Sequence, residues 1–162
     1  MKYMVIKDTR EQDGWEWQPS QYCLGTKRGT LKSGDYTLEG YESMLIIERK
    51  GCISEWAQNI TQDRVERELE RLDAVRYPFI LLEFTLADIM NYPIGSNIPK
   101  KLWPKLRFKA PFLLKRTVEF MVKYRTKIIF CGGSGKEMAS SIFKRTIEII
   151  ENVKDLNSPK PE

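Results

Sequence analysis

The sequence predicts an α/β domain, a mixed central β-sheet flanked by helices. Two observations carry that expectation. Strand-like and helix-like apolar stretches alternate, in the order strand, hairpin, helix, helix, strand, helix, helix, strand, helix, and such alternation covers a sheet with helices. The chain has 162 residues, 41% hydrophobic and 30% charged. That suits one water-soluble domain, which at this size buries roughly 70% of its unfolded surface. Residues 1–154 read as that domain and residues 155–162 as a flexible, Pro-containing polar tail.

Each element has a local reason. Tyr3 to Lys7 alternates as a first strand and ends at Asp8-Thr9-Arg10-Glu11, and Asp13-Gly14 opens a loop. Tyr22 to Leu31 holds a weak strand interrupted by Gly25 and Gly29. After the turn Ser33-Gly34-Asp35, Tyr36 to Leu38 and Met44 to Arg49 pair as a hairpin around Glu39-Gly40. Ile53, Trp56, Ala57 and Ile60 then fall on one face of a helix. Asp63 to Val75 is a second helix, with Val65, Leu69 and Leu72 inward, and the alternating charges from Glu66 to Asp73 read as its solvated face. Phe79 to Phe84 is a buried strand, and Thr85 to Asp88 caps a short helix. Asn91 to Pro111 carries four prolines and reads as loop. Phe112 to Tyr124 is helical, Lys127 to Cys131 a strand, and Glu137 to Val153 the last helix.

Composition removes many chemistries. There is no histidine, which excludes Ser-His-Asp and Cys-His triads, His-ligated zinc and any histidine general base. Cys23, Cys52 and Cys131 are odd in number, far apart and without a CxxC, which suits a reducing cytoplasm better than disulfides or zinc. No apolar run approaches the roughly 20 residues that span a bilayer, and Lys7-Asp8 follows the start too closely for a signal peptide. The net charge of +5 is compatible with a nucleic acid partner. Catalysis, if present, falls to carboxylates, lysine or a metal.

Glu48-Arg49-Lys50 ends an aliphatic strand, and Asp35 lies thirteen residues before Glu48. Alternation puts Glu48 and Lys50 on one strand face and Arg49 on the other. A buried acid and ammonium on one face are costly unless paired or bound to metal. Each residue alone reads as structural: a turn aspartate, a charged strand end, a cap at Asp8. Together they read as a cation site.

The ordered set Asp8-Thr9-Arg10-Glu11, Gly34-Asp35-Tyr36 and Ile47-Glu48-Arg49-Lys50-Gly51 resembles the nuclease domain of the XPF/Hef family of structure-specific DNA endonucleases, within the PD-(D/E)XK, restriction-endonuclease-like superfamily. The match covers about the first half of the chain and continues only in pattern from Lys127 onward. The resemblance implies Asp35 and Glu48 as metal ligands, with Asp8 a further or water-mediated one. It implies Lys50 as the group that orients or activates the attacking water, and Arg49 as a brace or phosphate contact. Oxygen ligands imply Mg²⁺ or Mn²⁺. It further implies a 5′-phosphate product, branched, flapped or single-strand-containing DNA as substrate, work in DNA repair or recombination, and pairing into a homodimer. The family places an Asp four residues after the Lys. Here that position is Ser54, and the acid is Glu55. The length leaves no room for the family's helicase or helix-hairpin-helix modules, which points to a small stand-alone version, phage-encoded or otherwise microbial, in the cytoplasm of its cell.

Lys100 to Arg116 holds seven basic residues and no acid, with Trp103, Phe108 and Phe112 interleaved. It reads as a DNA-contacting segment through Lys101, Lys105, Arg107 and Lys109, joined by Arg10, with Trp103 or Phe108 offered to an unpaired base. The bland alternative is a basic loop whose aromatics close the core. Gly132 to Lys136 imitates a phosphate loop, but Phe130 stands where Gly is needed and Glu137 where Ser or Thr is needed, so no nucleotide cofactor is expected. Glu11, Glu55 and Glu83 are candidate accessory acids: Glu55 is either a substitute for the offset acid or dispensable, and Glu83, closing a buried strand, reads first as structural. The rival function is a catalytically silent DNA-binding module of the same fold.

Overall fold

Six strands form one sheet: β1 (Tyr3–Asp8), β2 (Cys23–Gly29), β3 (Tyr36–Leu38), β4 (Leu45–Lys50), β5 (Tyr77–Leu82) and β6 (Lys127–Phe130). The structure is a computed structural model that describes residues 1–157. The strand order is β2-β1-β3-β4-β5-β6. β3 pairs antiparallel with both β1 and β4, while β1–β2, β4–β5 and β5–β6 are parallel. The helices are α1 (Ile53–Thr61), α2 (Arg64–Leu72), α3 (Leu86–Met90), α4 (Ala110–Lys123) and α5 (Gly135–Asn157). This is the mixed sheet with flanking helices that the sequence predicts.

The alternation of β4 divides the core. Ile46 packs with Ile6, Ile80 and Leu82 beneath Trp56 of α1, Leu69 of α2 and Leu113 of α4. Leu45 and Ile47 pack on the opposite side with Trp15, Trp17, Tyr36 and Phe143 of α5. Both sheet faces are thus dry, which is why β4 and β5 read as nearly continuous apolar runs. Trp56 donates its indole N–H to Thr117 Oγ1 at 3.0 Å, tying α1 to α4. Asp73, just past α2, accepts from the Thr126 hydroxyl at 2.6 Å and from the Thr126 and Arg125 backbone N–H groups, tying α2 to the start of β6.

Several boundaries differ from the sequence reading. β5 spans Tyr77–Leu82, so Glu83 and Phe84 lie beyond its end rather than inside it. The Pro-rich segment contains a 3-10 helix, Lys100–Lys105. Its short-range hydrogen bonds tolerate Pro104 in a way a longer helix would not. α5 continues through Asn157, so residues 155–157 of the expected tail are helical. The remainder, 158–162, lies outside the described residues.

Candidate active site

Four elements converge on one group of acids. Asp8 is the last residue of β1, Asp35 immediately precedes β3, Glu48 and Lys50 close β4, and Glu68 projects from α2. Asp35 is locked between strands. Its N–H donates to Ile47 O at 2.9 Å, its carbonyl accepts from Asp8 N at 2.8 Å, and its Oδ2 accepts from Arg49 N at 2.7 Å. Gly34 makes this approach possible. It has φ +72°, and a Cβ there would lie 2.3 Å from Ile46 Cγ1, so a side chain would push the Asp35 turn off β4.

The electrostatics of the group are unusual. Lys50 is 3% exposed and its Nζ lies 3.3 Å from Glu48 Oε1 and 3.0 Å from Glu68 Oε2. Burial alone would lower the Lys50 pKa, but Glu48 and Glu68 outweigh it and raise it, so the ammonium stays charged. Burial pushes Asp35 up to about 7, with the charges of Glu11 and Glu68 adding to the rise against the Arg49 N–H and Lys50. Burial and then the Asp35 charge raise Glu48 well above the usual carboxylate range. The one lysine therefore offsets only part of the repulsion among these acids.

A cavity of about 590 Å³ opens over the group. Asp8, Asp35, Glu48, Glu55 and Glu68 line it together with Glu11, Arg10, Lys32, Arg49, Arg64 and Arg71. Among the described residues, no group of three His, Cys, Asp or Glu side chains stands ready to hold a metal ion. The donor chemistry nevertheless fits a hard cation. Every acid offers only oxygen, and Asp35 and Glu48 are crowded carboxyls whose repulsion a cation would relieve.

Burial would raise Asp8, but the Arg10 side chain and the Leu31 and Arg10 N–H groups hold it below the usual range. Arg10 Nε donates to Asp8 Oδ2 at 2.7 Å, and Arg10 Nη2 donates to Leu31 O at 2.8 Å. Arg49 turns toward the other sheet face. It bonds Glu83, lies 3.7 Å from Glu11 Oε1, and sits over the Trp15 ring at 5.8 Å. Glu55 reaches back to accept the Gly51 N–H at 3.0 Å while lining the cavity. The offset acid therefore still borders the site. Lys101, Lys105, Arg107 and Lys109 are exposed and do not line this cavity. Trp103 donates its indole N–H to Ile98 O at 2.9 Å, and Phe108 stacks on Phe112 with centroids 4.1 Å apart.

Sequence reasoning missed Glu68, Arg64, Arg71 and Lys32. A signal for Glu68 was present. Val65, Glu68, Leu69 and Leu72 are spaced i, i+3, i+4 and i+7, so Glu68 occupies a core-facing position of the helix, not its solvated side. Nothing in the pattern marks Lys32.

No protein-family model matches this sequence, and no curated protein matches it. Among solved structures the fold is similar to XPF from Aeropyrum pernix, with a TM-score of 0.62 and 18% identity, over 94% of this chain and 69% of that one. It is also similar to XPF from Aeropyrum pernix in complex with DNA, with a TM-score of 0.60 and 17% identity, over 91% of this chain and 66% of that one. At such identities the likeness is one of fold. No helix among the described residues is long and apolar enough to cross a membrane.

Proposed function

We propose that this chain is a metal-dependent DNA endonuclease, related to the XPF/Hef nucleases, that hydrolyses the phosphodiester backbone of branched, flapped or single-strand-containing DNA. The observation that carries the reading is the cluster of half-buried Asp35 and Glu48 beside the buried Lys50 at the floor of a polar cavity. The XPF-like fold supports it, as does a solved neighbour that is a complex with DNA.

In this reading Asp35 and Glu48 would hold Mg²⁺ or Mn²⁺, with Asp8 as a further or water-mediated ligand. Bound there, such a cation would lower the pKa of water and offset negative charge in the transition state. Lys50 stays protonated between Glu48 and Glu68, so it orients water and stabilises the developing phosphorane charge rather than removing a proton. Arg49 braces β4 against Glu83 and Glu11 at the edge of the same cavity. Arg64, Arg71 and Lys32 on the cavity rim meet backbone phosphates. Pairing with a second copy, action in repair or recombination, a microbial or phage source and a cytoplasmic setting belong to the same proposal.

The silent DNA-binding reading is favoured by two observations: Asp8 is engaged by Arg10, and no three acids stand grouped for a metal among the described residues. One assay separates the two. Labelled flap, fork and four-way DNA are incubated with the protein, with Asp35→Ala and with Lys50→Ala, with and without Mg²⁺ or Mn²⁺. The proposal expects metal-dependent cleavage lost in both variants. DNA binding without cleavage of any substrate would defeat the enzyme reading, and cleavage surviving both substitutions would defeat the site.

A further inference from the structure

α1 has a cavity on each side. Glu55 faces the acidic one, while Ser54, Ala57 and Gln58 border a second of about 470 Å³. The far wall of this second cavity is Ile98 with Leu106, Arg107 and Phe108, the last three from the basic segment that carries no acid between Lys100 and Arg116. Its lining holds one charge, Arg107, and no acid. The two cavities therefore differ in kind: one crowded with carboxylates, the other apolar with a single cation at its edge.

From this geometry we infer that the second cavity receives one unpaired base of a DNA strand whose backbone passes over α1 into the acidic cavity. The inference rests on the reading above that DNA is the partner, and it adds where single-stranded character is sensed. An unpaired base needs an apolar slot with an aromatic or guanidinium surface and a cation for its phosphate. Phe108 is held flat against Phe112 at 4.1 Å with an interplanar angle of 17°, and the exposed Arg107 guanidinium lies over its ring at 5.0 Å, so the guanidinium backed by Phe108 is the planar surface offered to a base. Exposed Lys105 and Lys109 flank this pair in sequence and offer phosphate contacts. Trp103 is not the stacking surface, because it does not line this cavity. Ser54 Oγ, buried without a hydrogen-bond partner, supplies a polar group to a base edge by χ1 rotation. A helix is about 10 Å wide with its side chains, so the base would sit a short run of backbone from the acids. A paired base cannot reach the slot, so the cavity favours substrates with an unpaired segment next to the cut.

The test is equilibrium binding in EDTA, where no cleavage intervenes. The probes are a blunt duplex, the same duplex with a single-stranded tail, and that tail with abasic sites. The tailed probe should bind about tenfold tighter than the blunt one, and abasic sites should remove the difference. Phe108→Ala and Arg107→Gln should bring the tailed-to-blunt ratio toward one, whereas Lys101→Ala should weaken both probes and keep the ratio. Arg107 is exposed, so its variant guards against misfolding of the Phe108 variant. Equal binding of tailed and blunt probes, full affinity of the abasic tail, or an unchanged ratio in both variants would overturn the inference while leaving DNA binding intact. Failure to bind any probe would overturn it together with the reading it rests on.

Discussion

Asp35→Asn should stabilise the metal-free protein at about pH 8. In the folded state the Asp35 carboxyl keeps its proton to about 7, whereas its ordinary value is 3.8. Between those values the folded protein binds more protons than the unfolded chain, so stability falls as pH rises through that window. Above it the loss is complete. A shift of this size corresponds to about 4 kcal/mol. Glu48 takes up part of the same proton, so a range of about 2–4 kcal/mol is expected. Asn keeps a side-chain oxygen for the Arg49 N–H, which donates to Asp35 Oδ2 at 2.7 Å, and removes the charge. Urea unfolding in EDTA reads the difference, and in thermal unfolding the variant should gain about 5–15 °C. The gain should shrink as pH falls through this window and vanish below about pH 3, where the wild-type carboxyl is protonated in both states. Equal or lower stability of the variant at about pH 8, or the same gain at both pH values, would refute the reasoning.

Three other outcomes follow from the same structure. Changing Lys101, Lys105, Arg107 and Lys109 together to Ala should weaken DNA binding and flatten the slope of log affinity against log salt by about three to four; an unchanged slope would remove these exposed residues from the interface. Asp73→Ala should cost about 1–3 kcal/mol by breaking the α2–β6 tie. Burial alone would raise the Asp73 pKa, but the Thr126 hydroxyl and the Arg125 and Thr126 N–H groups hold it low. Its contribution is therefore present above its unfolded pKa and lost as pH falls through the folded one, and acid titrations of wild type and variant should converge at low pH. Gly34→Ala should destabilise by about 3 kcal/mol, from the positive φ and the close Ile46 contact, and near-wild-type urea unfolding would contradict that role for the glycine.

The strand ending in Glu48-Arg49-Lys50 was legible because its period-two alternation maps directly onto two faces. The structure places Ile46 and Ile47 in different cores and turns Arg49 toward Trp15. The inward residues of α1 and α2 were legible for the same reason, since a 3.6-residue period needs no knowledge of partners. The parallel pairing of β2 with β1 at the sheet edge was not, because nothing local to a seven-residue strand names its neighbour. Glu68 was lost to a charge pattern that outweighed its position on the apolar stripe. The engagement of Asp8 by Arg10, two residues on, was equally hidden. It depends on how the β1 end turns past Leu31, whose N–H also bonds Asp8 at 2.9 Å.

Direct cation binding tests the central claim most simply. Mn²⁺ titration by calorimetry, in buffers of different protonation enthalpy near pH 7, reports both affinity and protons released. The account predicts binding by the wild type with proton release from the Asp35 and Glu48 pair, and at least about tenfold weaker binding by Glu48→Gln. No binding by the wild type, or equal binding by the variant, would contradict it.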